Sequence, residues 1–472
     1  MMTKQEAITL CMIQPEVAAE IILMVEKLEA RIKELEAKCK KDSSNSSKPP
    51  SSDNKLSSKK RVQKSSEKKR GGQLGHKGKN LKMIEHPDKV ISLKPKVCHK
   101  CQRALECVSS NQIVKRQLFD FPQIDISVIE YQQHKIKCPH CQTVNKEEFP
   151  ANIKATTQYG ENIKAFVAYL NTQHMIPYER VSQIIEDMVS HKISTGTIYN
   201  FLSEGYEKLE EFEEKVKDRL IQEEVLNVDE TGVRVTSNLN WIHIVTSPNY
   251  VHYGIHAKRG QEAMDEFNIL PNYKGILSHD HWISYNAYEN ITHSYCNAHI
   301  IRELQFQIDN QNSSWAKEMQ TLLKEMNKAV IQAKEENKET LDAKIIKNWV
   351  KKYDIITQKA LKTYPPPKSN NKRGRPKQEK GKNLLDRLIK YKEETLRFLH
   401  DFRVPFTNNL AERDLRMIKV KQKISGTFAS FSGGEFFCRI KSFIGTLQKQ
   451  SLSILDGLKL CYRSEALRSL GW

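Results

Sequence analysis

Apolar positions recur along this chain with changing periods, and each change marks a different kind of segment. Ile21, Val25, Leu28, Ile32, Leu35 and Cys39 alternate spacings of four and three among Glu and Lys. This heptad seam predicts a coiled coil over 16–40, with a partner helix as its simplest cover and packing on its own domain as the other. From 42 to 80 almost no large apolar residue occurs, so 41–90 reads as a flexible linker that cannot form a core. Alternation returns in IDISVIEYQQHKIK (124–137), which predicts strands within a module over 91–150. A helical period follows in 155–220. IPYERVSQIIEDMVSHKISTGTIYNFLSEGYEKL (176–209) reads as helix, short turn, helix. Val181, Ile184, Ile185 and Met188 stripe the first helix, and Ser194 or Thr195 caps the second.

The period then shortens again. EEVLNVDETGVRVTS, NWIHIVTS and YVHYGIHA read as three short antiparallel strands, GQEAMDEFNIL as a helix, and GILSHDHW as a fourth strand ending on an acid. Strand, strand, strand, helix, strand is the order of an RNase H-like core, in which the first and fourth strands are neighbours. Asp229 is expected to close the first strand and Asp280 the fourth. Most of 299–363 reads as long amphipathic helix, and 451–472 as a C-terminal helical element. The expected fold is therefore α/β. An RNase H-like core over 222–295 and 400–450 is interrupted by a helical insertion over 296–399, and is preceded by coiled coil, zinc ribbon and helix-turn-helix.

Charge sharpens this picture. The chain has 76 Lys+Arg against 57 Asp+Glu, a formal net charge of +19, which favours a polyanionic partner and nucleic acid first. The excess is clustered, with twelve Lys/Arg and only Asp53 and Glu67 as acids between Lys48 and Lys82. The opening residues lack a basic flank followed by an apolar core, and no eighteen-residue apolar run occurs, which excludes a signal peptide and a membrane span. A cytoplasmic protein with reduced cysteines is expected, nucleoid-associated when bound to DNA.

Those cysteines include two CxxC pairs, Cys98 with Cys101 and Cys138 with Cys141. Each pair can hold one edge of a tetrahedron, so structural Zn²⁺ is expected. Asp229 and Asp280 on adjacent strand ends can bridge two divalent ions, Mg²⁺ or Mn²⁺, since hard cations prefer oxygen ligands. A third acid is expected from the helix in FTNNLAERDLRMIKVKQKIS, which Asn408 or Asn409 caps. Glu412 and Asp414 are two positions apart and point about 200° apart around the helix, so only one faces the site. Arg413, Arg416, Lys419 and Lys421 are expected to meet phosphates. In the helix-turn-helix, Thr195, Thr197 and Asn200 either face bases in the major groove or belong to a structural hairpin. Arg373 and Arg375, in KRGRPK (372–377), suit the minor groove of A·T-rich DNA or contact phosphates nonspecifically. Cys296 and His299, one turn apart, either share a metal or pack and position substrate.

Several of these segments together resemble one family. NSSKPPSSD (45–53), GGQLGHKG (71–78), the paired CxxC, VDETGVRV (228–235), the Asp280 region with Tyr285, CNAH (296–299) and NNLAERDLR (408–416) occur in the order seen in bacterial insertion-sequence transposases of the sixty-six family, a DDE group. Leu74 stands where that family often has proline. The resemblance implies Asp229, Asp280 and Glu412 as the acidic triad, a helical insertion between the last two, metal-dependent strand cleavage and strand transfer at element ends, and small accessory proteins of the same element. A homodimer or higher oligomer formed through the zipper would suit synapsis of two ends. The rival expectations are a noncatalytic DNA-binding remnant acting as repressor, and a metal-dependent nuclease that does not join.

Overall fold

The computed structural model describes residues 15–39, 81–110, 112–121, 124–364 and 378–472. Two compact units result, Lys59–Ile129 on one side and Met1–Ser58 with Glu130–Trp472 on the other. The basic run 48–80 and the segment 372–377 with Arg373 and Arg375 lie outside the described residues.

In the larger unit, helix α1 (Pro15–Cys39) carries the heptad seam. Ile21, Val25, Leu28, Ile32 and Leu35 are all exposed, so the stripe finds no cover among the described residues. A short hairpin of β1 (Lys135–Lys137) and β2 (Val144–Lys146) pairs Lys135 with Lys146 and Lys137 with Val144. Of the stretch 124–137 expected to form strands, Lys135–Lys137 does so as β1, and 124–134 does not. Alternation there meets no partner to complete a ladder, and an unpaired alternating segment is not a strand.

Helices α2 (Glu161–Ala168), α3 (Tyr178–Val189), α4 (Thr195–Lys208) and α5 (Glu210–Ile221) follow. The turn between α3 and α4 begins at Ser190 in the left-handed region and ends at Ser194, whose hydroxyl accepts from the Thr197 amide and so caps α4. Val181, Ile185, Ile193, Ile198, Phe201 and Leu202 bury their side chains in the same core, whereas Met188, expected on the buried stripe, is exposed in the last turn of α3.

The sheet comprises β3 (Val225–Val235), β4 (Asn238–Thr246), β5 (Val251–His256), β6 (Ile276–His279) and β7 (Thr292–Tyr295), with helix α6 (Gln261–Glu266) between β5 and β6. Its order is β5-β4-β3-β6-β7: the first three strands are antiparallel, and β6 joins β3 and β7 in parallel. This is a mixed α/β fold. One correction concerns Asp229, which sits inside an eleven-residue strand and does not close it. Pairing with β6 stops at Asn227, but antiparallel pairing with β4 carries β3 on to Val235.

The expected long helix of 299–363 is three helices, α7 (Asn297–Gln311), α8 (Ser314–Glu335) and α9 (Ala343–Leu361), followed by α10 (Lys380–Lys390) and α11 (Lys392–His400). They bury a core of their own around Trp315, Met319, Leu323, Tyr353 and Leu385. The chain then returns to the sheet in α12 (Asn409–Ser425) and α13 (Phe431–Lys449), and ends on α14 (Ile454–Tyr462) and a short 3₁₀ turn. Helix α13 lies tight on β5. A Cβ on Gly434 would come within 2.7 Å of Ile255, and one on Gly445 within 2.6 Å of Val251, so glycine sets the approach.

Candidate active site

Alternation along β3 divides its side chains between two faces. Leu226 and Val228 enter the core shared with α4, α5 and α13, while Val233 and Val235 pack with Ala411, Leu415 and Ile418 of α12. Asp229 has the parity of this second face. The parallel ladder pairs Val225 with Ile276, Leu226 with Leu277 and Asn227 with Ser278. Continuing that register by two residues sets Asp280 beside Asp229 on the same face. Asp280 immediately follows β6, and its Oδ1 accepts from the Trp282 amide at 2.8 Å, which fixes the carboxyl as the chain turns away.

Electrostatics follow from this crowding. Burial raises the Asp229 carboxyl well above the usual range, and the negative charges of Glu230, Asp280 and Glu412 raise it further. Asp280 is pushed up to about 6, by burial first and by Glu230 second. Asp229 has no cationic partner among the described residues; its hydrogen bond is from the Glu230 amide, at 2.9 Å. Three acids with only oxygen donors, mutually repelling and half-buried, make a donor set that a hard divalent cation fits.

Helix α12 separates the two candidates for the third acid. Asp414 accepts from Thr246 Oγ1 and from Lys449 Nζ, both at 3.1 Å, which ties it to β4 and α13. Glu412 faces Asp229 and the start of α7. Around its Oε1 stand Cys296 Sγ at 3.9 Å, His299 Nδ1 at 3.8 Å and Arg302 Nη2 at 3.9 Å. These distances leave the oxygen without a close hydrogen bond. Burial, with Arg302 adding to it, lowers His299 to about 4, so its ring is neutral at pH 7 and its Nδ1 is buried without a partner. Cys296, His299 and Glu412 are a group with three potential ligand atoms inside 4.8 Å. Yet burial pushes the Cys296 thiol up to about 11, its sulfur accepts from the Asn408 amide at 3.1 Å, and Arg302 addresses the same carboxylate oxygen. This arrangement suits positioning better than a closed metal site.

The opposite face of β3 is sealed. Glu230 accepts from Arg259 Nε at 2.8 Å and from the Tyr285 hydroxyl, and the Arg259 guanidinium lies 3.6 Å over the Trp282 ring and 4.9 Å from that of Trp241. Sequence reasoning passed over Glu230 and Arg259. The adjacent acids in VDETG were a visible signal, since strand parity must send them to opposite faces.

The other expected contacts are distributed as follows. Thr195 and Asn200 are exposed on α4, while the Thr197 hydroxyl is 2.9 Å from Ser194 Oγ. Arg413 and Arg416 are exposed, and Lys419 Nζ reaches the Gly232 carbonyl at 3.1 Å. Lys421 lies over Phe428 and Phe437, and burial lowers it to about 8. Cys98 and Cys138 begin matching knuckles. The Cys98 amide donates to Arg103 O and the Gln102 amide to Cys98 O; the Cys138 amide donates to Thr143 O and the Gln142 amide to Cys138 O. Gln102 and Gln142 both adopt positive φ, 59° and 60°. Hydrogen bonding, led by the Thr143 side chain, lowers the Cys141 thiol to about 7, and the Cys101 amide leads the lowering of Cys98. Paired soft sulfur donors suit zinc.

Compared with known proteins, residues 156–436 match the family described as Transposase IS66 family, and residues 9–82 match a family of unknown function, DUF6444. No curated protein matches. No helix among the described residues is long and apolar enough to cross a membrane.

Proposed function

The chain belongs to the Transposase IS66 family, and from that premise we propose that it is a DDE-type enzyme that cleaves DNA at insertion-sequence ends and joins the freed ends to target DNA. Asp229, Asp280 and Glu412 are the residues that hold two Mg²⁺ or Mn²⁺ ions. The observation that carries this reading is the β3–β6 register: extended by two residues, it brings Asp280 beside Asp229 on the face that α12 covers with Glu412. The strand order β5-β4-β3-β6-β7, antiparallel then parallel, supports an RNase H-like core over 222–295 and 400–450 with 296–399 as its helical insertion.

When bound, divalent cations supply an acidified water or 3′-hydroxyl and neutralise charge on the departing oxygen. The chain's own work is to gather three carboxylates, to bury them so that water competes poorly, and to leave Asp229 among other acids with no cationic partner among the described residues. Arg413, Arg416 and Lys419, on the helix that carries Glu412, supply charge for the phosphates flanking the reacting one. Thr195, Thr197 and Asn200 on α4 read the terminal sequence, and Arg373 and Arg375 reach into a minor groove. Lys421 is the weakest member of this DNA-facing set, since its ammonium packs over two phenyl rings.

The remaining modules serve assembly. The exposed seam of α1 supports dimerisation through 16–40, which pairs two element ends. Cys98 with Cys101, and Cys138 with Cys141, are each a thiol pair suited to structural zinc, and 155–220 carries the helix-turn-helix. Small accessory proteins of the same element complete the assembly.

The test is to incubate the protein with Mg²⁺ and DNA bearing the inverted repeats that flank the element. Wild type is expected to yield cleaved and joined products and Glu412→Gln neither. Binding of the ends with no cleavage by wild type would favour a repressor. Cleavage without joined product would favour a nuclease.

A further inference from the structure

Cys296 and Asn408 are buried, yet neither supplies an oxygen to the acidic cluster, and the asparagine behaves unlike the helix cap its position suggests. Asn408 stands at the N-cap of α12, but its side chain makes no capping hydrogen bond. Its Nδ2 instead donates to the Val228 carbonyl at 2.7 Å, and its Oδ1 accepts from Asn227 Nδ2 at 2.8 Å. Both partners belong to the β3 residues immediately before Asp229. The backbone amide of Asn408 donates to Cys296 Sγ at 3.1 Å, and one residue on, the Asn297 amide donates to the Phe406 carbonyl at 3.0 Å. The Asn408 carbonyl accepts from the Glu412 amide at 3.1 Å, the first turn of the helix. Asn227, Asn408 and Cys296 are each almost wholly inaccessible to solvent.

One residue thus joins three segments far apart in sequence: the strand that carries Asp229, the β7–α7 junction, and the helix that carries Glu412. The 296–399 insertion separates Glu412 from the sheet along the chain, so its position depends on contacts of this kind. A buried carboxamide bonded through both its nitrogen and its oxygen fixes position closely, because a shift would leave a desolvated donor or acceptor unpaired.

We propose that Asn408 is a positioning residue for the metal-binding acids, a latch that sets the distance from Glu412 to Asp229, with Cys296 as its sulfur anchor. It touches neither substrate nor metal and acts through Glu412. This rests on the reading of Asp229, Asp280 and Glu412 as metal ligands. It predicts that loosening the latch weakens metal binding on the scale of an outer-shell defect, roughly 10–100-fold. Cys296→Ser keeps an acceptor for the Asn408 amide and should bind metal closer to wild type than Cys296→Ala does.

The experiment is a Mn²⁺ titration of the full chain, with bound ion read from loss of the free-ion electron paramagnetic resonance signal and thermal unfolding followed in parallel. Asn408→Ala is expected to bind Mn²⁺ about 10–100-fold more weakly than wild type. Asn227→Ala removes one arm of the latch, is expected to lose less, and serves if Asn408→Ala does not fold. Folded variants with lowered melting temperature but unchanged Mn²⁺ affinity would overturn the latch. Wild type that binds no Mn²⁺ more tightly than Asp229→Asn would instead overturn the metal-site reading itself.

Discussion

Asp229 and Glu230 are consecutive residues on one strand, and their surroundings differ in every respect that matters for function. Glu230 is deeply buried, ion-paired to Arg259 and hydrogen-bonded by Tyr285, with the arginine stacked on Trp282. Asp229 is half-buried, surrounded by other acids, and unpaired with any cation among the described residues. Glu412 and Asp414 repeat the contrast on α12, where Asp414 is held by Lys449 and Thr246 while the nearest charged group to Glu412 stands 3.9 Å away. A buried acid whose charge is already answered belongs to the scaffold. A buried acid left among its own kind is what the proposed cation site calls for.

The contrast predicts opposite failures. The largest effect should come from Asp229→Ala, with strand cleavage falling below detection in a gel assay while binding to end-bearing DNA and the melting temperature stay close to wild type. Glu230→Gln should do the reverse, costing about 3 kcal/mol in urea unfolding by leaving Arg259 without its carboxylate. Loss of chemistry in Glu230→Gln at unchanged stability would break the comparison.

On α12 the pair should split in the same way at smaller scale. Asp414→Asn is expected to lose about 1–3 kcal/mol of stability, because Lys449 is left buried without a counter-charge, yet to keep joining DNA ends. Glu412→Gln should retain stability and lose joining. Equal loss of joining in both would mean that the helix, and not one face of it, matters.

The smallest effect concerns Lys421. Burial lowers its folded value to about 8 from an ordinary 10.5, so between those two pH values the unfolded chain holds the extra proton and stability rises with pH. Lys421→Met removes this contribution. Relative to wild type it should gain most near pH 7 and lose that advantage toward pH 10, as urea unfolding at the two pH values would report. It should also weaken DNA binding less than Arg416→Ala, since the Arg416 side chain is exposed.

Much of the site was legible from sequence because strand periodicity and element order are local signals. The turn of GILSHDHW onto Asp280 and the neighbour relation of its strand to the one bearing Asp229 were both readable, whereas the parallel sense of that pairing comes from the structure. The interior position of Asp229 was not, because the length of β3 is set by pairing with β4 past the point where β6 leaves. The choice between Glu412 and Asp414 could be narrowed by helix geometry to one of the two, but the partner that occupies Asp414 is Lys449, 35 residues later on α13. Asn408 illustrates the same limit. An asparagine before a helix reads as a cap, and only the tertiary contact with Val228 and Asn227 redirects its side chain. The alternation in 124–137 erred the other way, since only Lys135–Lys137 of it finds a partner strand.

The claim that matters most is that the Asp229 face of β3, and not the Glu230 face, binds the catalytic cations. Its most direct test is Mn²⁺ binding measured on folded Asp229→Asn and Glu230→Gln proteins side by side. The account predicts that Asp229→Asn loses tight Mn²⁺ binding and Glu230→Gln keeps it. Undiminished Mn²⁺ binding by Asp229→Asn would contradict it.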